Sequence, residues 1–175
     1  MSGITIFSST NRINSYTLKM AKVYQHILQE EGQETRLFSF TDLPSTIAFS
    51  ETFGNRSQEF QQLITDYIES SDKFVFVAPE YNGSYPGILK TFLDAIHPKY
   101  WTEKKAAIIG VSQGRAGNLR GIEQLTLILN YLKINVYHNK LPFSGIDKLF
   151  DSSDNLFNEE TLKVLTQHVK GFIRF

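Results

Sequence analysis

Two runs of consecutive apolar residues constrain the fold of this chain more than any other feature. Residues 74–78 are Phe-Val-Phe-Val-Ala and residues 106–111 are Ala-Ala-Ile-Ile-Gly-Val, with no alternation of polar and apolar side chains. A strand that is apolar on both faces is typical of a parallel sheet covered by helices on both sides. The two runs therefore predict two central strands of an α/β protein.

The rest of the chain alternates between strand and helix patterns around these two runs. Such an alternation with right-handed crossovers predicts a flavodoxin-like three-layer sandwich, with a five-stranded parallel sheet in the order 2-1-3-4-5. Residues 45–55 are predicted to be an irregular loop and residues 141–155 a long polar connection. The predicted strands are residues 3–7, 34–40, 74–78, 106–111 and 134–137, and the predicted helices are 15–32, 60–68, 86–96, 122–132 and 162–169.

No linker or shift in composition divides the sequence, so residues 1–175 are predicted to form a single domain. Polar turns follow the first, third and fourth predicted strands, at residues 8–17, 79–87 and 112–118. We call them the first, second and third loops. In open parallel sheets, ligands bind outside the carboxyl ends of the strands at the point where the strand order reverses. The three loops are therefore predicted to converge on one site.

The first loop is rich in hydroxyl groups and leads directly into a predicted helix. The start of a helix offers unpaired backbone N–H groups and the positive end of the peptide dipole, and Arg12 adds a planar guanidinium, so the loop suits a phosphate. Ser, Thr and Asn are also the preferred helix caps, so the loop taken alone fits a plain capping segment equally well. The candidate phosphate-binding residues are Ser9, Arg12, Asn14, Ser15, Tyr16 and Thr17.

The second and third loops suit the flat part of a ligand. Tyr81 offers an aromatic surface, while glycine and amide residues let the backbone approach the edge of a planar ring. FMN has this combination of a phosphate and a flat ring, whereas the G-x-G-x-x-G fingerprint of a dinucleotide site is absent after the first strand. The candidate residues here are Pro79, Glu80, Tyr81, Asn82, Gly83, Ser112, Gln113, Gly114 and Arg115.

Composition excludes several other classes of protein. The sequence has no cysteine, which removes disulfide, zinc-thiolate and cysteine-nucleophile chemistry. Its 18 basic and 18 acidic residues balance without charged blocks, which argues against nucleic acid or a membrane as a partner. No apolar run is long enough to span a bilayer and no signal peptide is evident, so a cytoplasmic location is predicted. The four histidines lack metal-ligand spacing and are predicted to lie at the surface or at helix ends, and no metal site is expected: His26, His97, His138 and His168.

The second loop carries a specific family resemblance. Residues 79–90, Pro-Glu-Tyr-Asn-Gly-Ser-Tyr-Pro-Gly-Ile-Leu-Lys, continuing to Asp94, are similar to the P-E-Y-N…P-G-x-L-K…D signature of the NADPH-dependent FMN reductases. This family also includes azoreductases, quinone reductases and chromate reductases of flavodoxin-like fold. Ser9, Arg12, Ser15 and Thr17 resemble the family's phosphate loop, although Ser8 stands where the family commonly has Gly. The third loop looks like the family's S-x-G-x-x-G segment, and the resemblance covers nearly the whole chain.

The resemblance implies an FMN-dependent oxidoreductase. NADPH or NADH would reduce the bound FMN, and a small-molecule acceptor such as a quinone, an azo compound, a metal oxyanion or free flavin would then replace the nicotinamide. The flavin carries this chemistry, so no catalytic residue is assigned to the protein. The resemblance also implies a homodimer or homotetramer, with Phe92, Leu93 and Ile96 of the helix after the second loop packing against a second subunit.

Two alternatives of other classes stay open. A flavodoxin acting as a non-enzymatic electron carrier has a similar fold, but such proteins usually carry a T-x-T-G-x-T loop and a strongly acidic surface, and this sequence has neither. A phosphate-binding module without a redox role is compatible with the first loop alone.

Overall fold

A computed structural model describes residues 3–175, which form one sheet with helices on both faces. Within these residues the strand order is β2-β1-β3-β4-β5 and every strand pair is parallel, so the predicted flavodoxin-like order is confirmed. The strands are β1 (Gly3–Ser8), β2 (Thr35–Ser39), β3 (Ser71–Pro79), β4 (Lys105–Val111), β5 (Asn135–Val136) and β6 (Leu141–Phe143). The helices are α1 (Tyr16–Glu30), α2 (Gln58–Ile64), α3 (Gly87–Ala95), α4 (Leu119–Tyr131) and α5 (Glu159–Arg174).

Both faces of the central strands are buried, as the apolar runs predict. Side chains of β3 alternate between two cores, with Phe74 and Phe76 facing the α2, α3 and α4 side, while Val75 and Val77 face α1 and α5. Phe7 of β1 stacks on Phe76 with ring centroids 5.0 Å apart. A sheet covered on both faces leaves only the ends of its strands open to a ligand. None of the described helices is both long and apolar enough to cross a membrane.

The last predicted strand is shorter in the structure, as β5, and a sixth strand, β6, follows it. β5 pairs with the start of β4, and β6 pairs with the end of β4 at Ile109, Gly110 and Val111. The prediction of a polar connection is wrong for residues 141–143, because they form β6. Between the two strands, the backbone carbonyl of Asn139 accepts a hydrogen bond from His168 and so is held toward α5 (2.8 Å). The segment after Phe143 then lies beside the third loop, because the Ile146 N–H donates to the Ser112 carbonyl.

The predicted irregular loop at residues 45–55 contains a helical turn, Ile47–Glu51. Its Ile47 is buried in the core, and the Glu51 carboxylate, only 3% exposed, accepts a hydrogen bond from the Ser57 backbone N–H (2.8 Å). The sequence did not indicate this turn because Phe49 within it and Phe53 just after it are exposed and break the amphipathic spacing.

His168 is not at the surface, contrary to the sequence-based prediction. It is 1% exposed on α5. Its Nε2 faces the Asn139 carbonyl oxygen, which can only accept, so Nε2 carries the proton and Nδ1 accepts from the Tyr24 hydroxyl (2.8 Å). Burial lowers the pKa of His168 to about 4 and raises that of Tyr24. The pair is therefore a neutral hydrogen-bonded contact between α1 and α5.

Candidate functional site

The first loop presents unpaired backbone donors at the start of α1. Ser15 caps the helix, with its Oγ accepting from the Leu18 N–H (3.2 Å), so the Ser15 hydroxyl proton stays free to donate. Within residues 3–175, the N–H groups of Tyr16 and Thr17 have no acceptor, as expected for the first turn of a helix. No acidic residue occupies this turn. The positive end of α1 is thus available to an anion.

The side chains of the first loop divide into two groups. Arg12 and Asn14 are exposed, and Asn14 has a left-handed backbone (φ 52°). Ser9 is fully buried, its Oγ donates to the Phe7 carbonyl (3.4 Å), and it does not line the cleft described below. Thr10 is also buried, and its Oγ1 accepts from the Arg12 N–H (3.2 Å). These two buried residues hold the loop, whereas Arg12 and Asn14 face its ligand side.

The second loop is built around a tight hairpin turn. Tyr81 and Ser84 exchange both backbone hydrogen bonds (2.8 and 3.1 Å), and the two residues between them have positive φ values, 52° at Asn82 and 77° at Gly83. This is the geometry of a type I′ turn, for which Asn-Gly is a preferred sequence. The Tyr81 hydroxyl shares a hydrogen bond of 2.7 Å with Thr10 Oγ1. The first and second loops are therefore joined directly.

The third loop is held by hydrogen bonds of the Ser112 side chain within the loop and by backbone hydrogen bonds to neighbouring segments. Ser112 Oγ donates to the Gly114 carbonyl and accepts from the Gly117 N–H, both at 3.0 Å. The Ile146 N–H donates to the Ser112 carbonyl (3.0 Å), so the segment after β6 closes one side of the loop. The Glu80 N–H donates to the Val111 carbonyl (3.1 Å), which ties the second loop to the end of β4.

Two adjoining clefts lie between these loops. They share Glu80, Ser112 and Gln113. The first, of about 530 Å³, is lined by Arg12, Asn14, Ser15, Tyr16, Thr17, Pro79, Glu80, Tyr81, Val111, Ser112, Gln113 and Ile146. The second, a more open cleft of about 950 Å³, is lined by Glu80, Asn82, Gly83, Ser112, Gln113, Gly114, Arg115 and Ala116.

All but one of the predicted site residues therefore lie at these clefts, Ser9 being the exception. Three apolar residues, Val111, Ile146 and Ala116, were not predicted to line the site. Val111 is the last residue of a predicted strand and could have been found from that position. Ile146 lies in the segment taken as a polar connection, and nothing in the sequence marked it.

The clefts suit a flat, phosphorylated ligand. The first turn of α1 has unpaired N–H groups with Arg12 nearby, which fits a phosphate. At Gly83 an added Cβ would meet no atom within 4 Å, and at Gly114 only Ser112 Oγ at 4.0 Å, so both glycines leave open space beside the cleft. Fold and site together define a flavodoxin-like α/β protein in which a loop suited to an anion lies next to a cleft lined partly by backbone.

Comparison with known proteins assigns this chain to a family. The sequence profile of the NADPH-dependent FMN reductases matches residues 3–146. The chain belongs to the NADPH-dependent FMN reductase family.

Individual relatives agree with this assignment. The chain is 28% identical over 167 residues to a 2-hydroxy-1,4-benzoquinone reductase from Burkholderia, covering 93% of this chain and 89% of the relative. It is 26% identical over 174 residues to a quinone reductase from Pseudomonas putida, covering 97% and 91% of the two chains. Its fold is similar to that of FerB from Paracoccus denitrificans, a flavoenzyme NAD(P)H:(acceptor) oxidoreductase, with a TM-score of 0.79, 24% identity and coverage of 99% and 96%.

The protein is thus an FMN-dependent NAD(P)H oxidoreductase, and the prediction of FMN as cofactor with NAD(P)H as electron donor is confirmed. The residues at the clefts fit FMN, because the unpaired N–H groups at the start of α1 suit its phosphate and the space beside Gly83 and Gly114 suits its ring. Among residues 3–175, no three histidine, aspartate or glutamate side chains lie close enough together to hold a metal ion.

Proposed function

We propose that residues 1–175 form a single FMN-binding domain in which the first loop binds the phosphate. The observation that carries this proposal is the pair of unpaired N–H groups at Tyr16 and Thr17, with the free Ser15 hydroxyl and the Arg12 guanidinium at the same cleft. Charge-assisted hydrogen bonds from such groups favour a dianionic phosphate over a neutral ligand. Ser9 acts on the phosphate only through the shape of the loop, because its side chain is buried.

The flavin ring in this proposal lies along the second and third loops. The turn between Tyr81 and Ser84 and the segment from Ser112 to Gly114 are held by hydrogen bonds of the protein itself, so their outward-facing backbone groups are positioned before a ligand arrives. Preorganised backbone donors stabilise negative charge in a bound group without further rearrangement. Val111 and Ile146 form an apolar wall beside this position.

The open cleft at Gly83, Gly114 and Arg115 is the proposed place for the nicotinamide and the acceptor. When bound, FMN supplies the hydride chemistry, so the residues of the chain need only bind and orient the two substrates. Because one cleft serves both substrates, they occupy it in turn. We therefore expect ping-pong kinetics, and we assign no catalytic acid or base.

We propose a quinone as the preferred acceptor. Two relatives that match this chain over more than nine-tenths of its length are named for quinone reduction. A flat, mostly apolar quinone also suits a cleft walled by backbone and glycine. Azo compounds, metal oxyanions and free flavin are the competing acceptors.

Steady-state oxidation of NADH and NADPH by the FMN-loaded protein tests this proposal, with 1,4-benzoquinone, an azo dye, chromate and free FMN as acceptors. The highest kcat/KM is expected for the quinone, with parallel double-reciprocal lines. The FMN-free protein is the control. A rate of quinone reduction no higher than the rate with free FMN and no protein, at the same FMN concentration, would contradict enzymatic reduction.

A homodimer or homotetramer is part of the proposal, but through a different surface from the one first expected. Phe92, Leu93 and Ile96 of the α3 region are buried in the chain's own core, at 0, 2 and 1% exposure. Two exposed apolar side chains, Leu127 and Tyr131, lie on α4 instead, beside a groove of about 780 Å³ between α3 and α4. Light scattering of L127K, with V164K on α5 as control, should show a lower mass only for L127K. The cytoplasmic location and the lack of a nucleic-acid or membrane partner stay predictions.

A further inference from the structure

Asn118 is a buried residue with an unusual backbone at the end of the third loop. It precedes α4 with φ 66° and ψ 31°, a left-handed conformation in which glycine is the default residue. Its side chain is 0% exposed and does not cap its own helix. A function other than helix capping must therefore account for the buried amide.

The amide nitrogen of Asn118 holds the start of the second loop. Nδ2 donates to the backbone carbonyls of Ala78 and Pro79, each at 3.0 Å. Carbonyl oxygens can only accept, which fixes the orientation of the side-chain amide. Both carbonyls belong to the last two residues of β3, immediately before Glu80 and the hairpin turn.

The amide oxygen faces the other end of the same loop. Asn118 Oδ1 is buried and has no hydrogen-bond partner within residues 3–175. A Cβ added to Gly121 would lie 2.1 Å from this oxygen and 2.6 Å from the Tyr85 backbone nitrogen. The absence of a side chain at Gly121 therefore lets the Tyr85 end of the loop and the Asn118 oxygen approach the same point on α4.

We propose that Asn118 is a positioning residue for the flavin ring, holding the start of the second loop, at Ala78–Pro79, against the start of α4. This inference rests on the proposed placement of the ring along the second and third loops. The spacing between the Tyr81–Ser84 turn and the Ser112–Gly114 segment depends on this contact, because Asn118 belongs to the third loop and its hydrogen bonds end on the second. Within residues 3–175, no hydrogen bond joins Asn118 to the first loop.

Loss of the Asn118 amide should consequently weaken binding of the flavin ring and leave binding of the phosphate unchanged. In Asn118→Gly the left-handed backbone is preserved, since glycine adopts it freely, and only the side-chain contacts are removed. FMN and riboflavin should both bind about tenfold more weakly, by the same factor, so that the ratio of their affinities is unchanged. The visible absorption bands of bound FMN and its midpoint potential should also shift, and a merely structural role would move neither.

A second variant gives an independent signature. In Asn118→Asp the shape is kept, but an ionised carboxylate replaces the donor that faces two carbonyl oxygens, so flavin binding should be weaker than in N118G at pH 8. Protonation of this buried carboxyl restores a donor. Relative to the wild type at each pH, N118D should therefore recover affinity between pH 8 and pH 5.5.

The matched control is Lys133→Gly. Lys133 follows the other end of α4 and also has a positive φ (62°), but its side chain is exposed. This variant should leave flavin affinity, spectrum and potential unchanged. The inference is overturned if N118G is folded and binds both flavins as the wild type does, if it weakens FMN alone, or if it does not fold, which would make the amide a requirement of the fold. Failure of the wild type itself to bind flavin would instead remove the proposed function.

Discussion

At the amino end of the central strands, lysine side chains donate to backbone carbonyls of neighbouring segments, whereas at the carboxyl end the first loop leaves backbone N–H groups free. Lys73, at the start of β3, donates to the carbonyls of Phe172 and Ile173 near the end of α5 (3.1 and 2.7 Å). Lys104 and Lys105 likewise donate to backbone oxygens of neighbouring segments. Desolvation lowers the pKa of Lys73 and of Lys104, yet both keep their carbonyl partners.

The carboxyl end of the same sheet is arranged in the opposite way. The first turn of α1 keeps unpaired N–H groups, and a basic side chain beside it, Arg12, has no ion pair within residues 3–175. Substitutions at the amino end should therefore change the free energy of unfolding without changing flavin affinity. Substitutions at the first loop should do the reverse.

The largest effect is expected from a negative charge in the first loop. Ser15→Asp keeps a good helix cap but places a carboxylate where the phosphate is proposed to bind. Repulsion between the two should cost about 2 to 4 kcal/mol, or about 30- to 1000-fold in the dissociation constant of FMN. Fluorescence titration with FMN measures this, and Ser15→Asn, a neutral cap of similar size, is the control. Equal FMN affinity in the two variants would place the phosphate elsewhere.

The next largest effect concerns stability and pH. His168 has a pKa of about 4 in the folded protein, against roughly 6.5 when unfolded, so the unfolded state binds more protons between these values. The free energy of unfolding is therefore highest above about pH 6.5 and falls by about 3 kcal/mol as the pH drops to 4.

Urea unfolding at pH 7.5, 6.0 and 4.5 checks this stability prediction. His168→Gln should be less stable at pH 7.5 but show a flatter dependence on pH than the wild type. His26→Gln, which changes an exposed histidine on α1, is the control and should keep the wild-type slope. A wild-type slope in H168Q would mean that another group titrates.

A smaller effect is expected at the edge of the phosphate position. Arg12→Ala should weaken FMN binding by roughly 1.5 to 3 kcal/mol, about ten- to hundredfold, because one charge-assisted contact is lost. Riboflavin, which has no phosphate, should bind almost as to the wild type. Arg174→Ala, at the far end of α5, controls for the loss of an exposed charge. If R12A weakened both flavins equally, Arg12 would instead hold the loop or the ring.

The smallest effect is expected at the amino end of the sheet. Lys73→Met should lower the free energy of unfolding by about 1 to 2 kcal/mol, because two carbonyls at the end of α5 lose their donor. The dissociation constant of FMN should not change. Urea unfolding and a flavin titration on the same sample measure both quantities, with Lys22→Met on the exposed face of α1 as control. Any clear loss of FMN affinity in K73M would remove the contrast between the two ends.

Features set by long apolar patterns could be predicted from the sequence, and features set by single contacts between distant elements could not. The buried runs at residues 74–78 and 106–111 determined the central strands, and the strand-helix alternation determined the sheet order. The segment between β5 and β6 is contacted by His168, whose ring hydrogen-bonds to Asn139, 29 positions away in the sequence.

The candidate site shows the same limit. The three loops could be predicted to converge because parallel strands end at one edge, but the contacts of Thr10 with Tyr81 and of Asn118 with Pro79 join separate loops and leave no local pattern. The burial of His168, in contrast, could have been predicted from the sequence. His168 lies three residues after Leu165 and four before Phe172, which places it on the buried face of α5. The spacing of the apolar residues around it indicated burial more reliably than its own polarity.

The central claim is that the first loop binds a phosphate, and the affinities of the wild-type protein for FMN and riboflavin test it most directly. The FMN-free protein is titrated with each flavin under the same conditions, following the quenching of flavin fluorescence. Several charge-assisted hydrogen bonds from the start of α1 and from Arg12 should make FMN bind at least about a hundredfold more tightly. Equal affinities would contradict the account, because the open N–H groups at Tyr16 and Thr17 would then contribute nothing to binding.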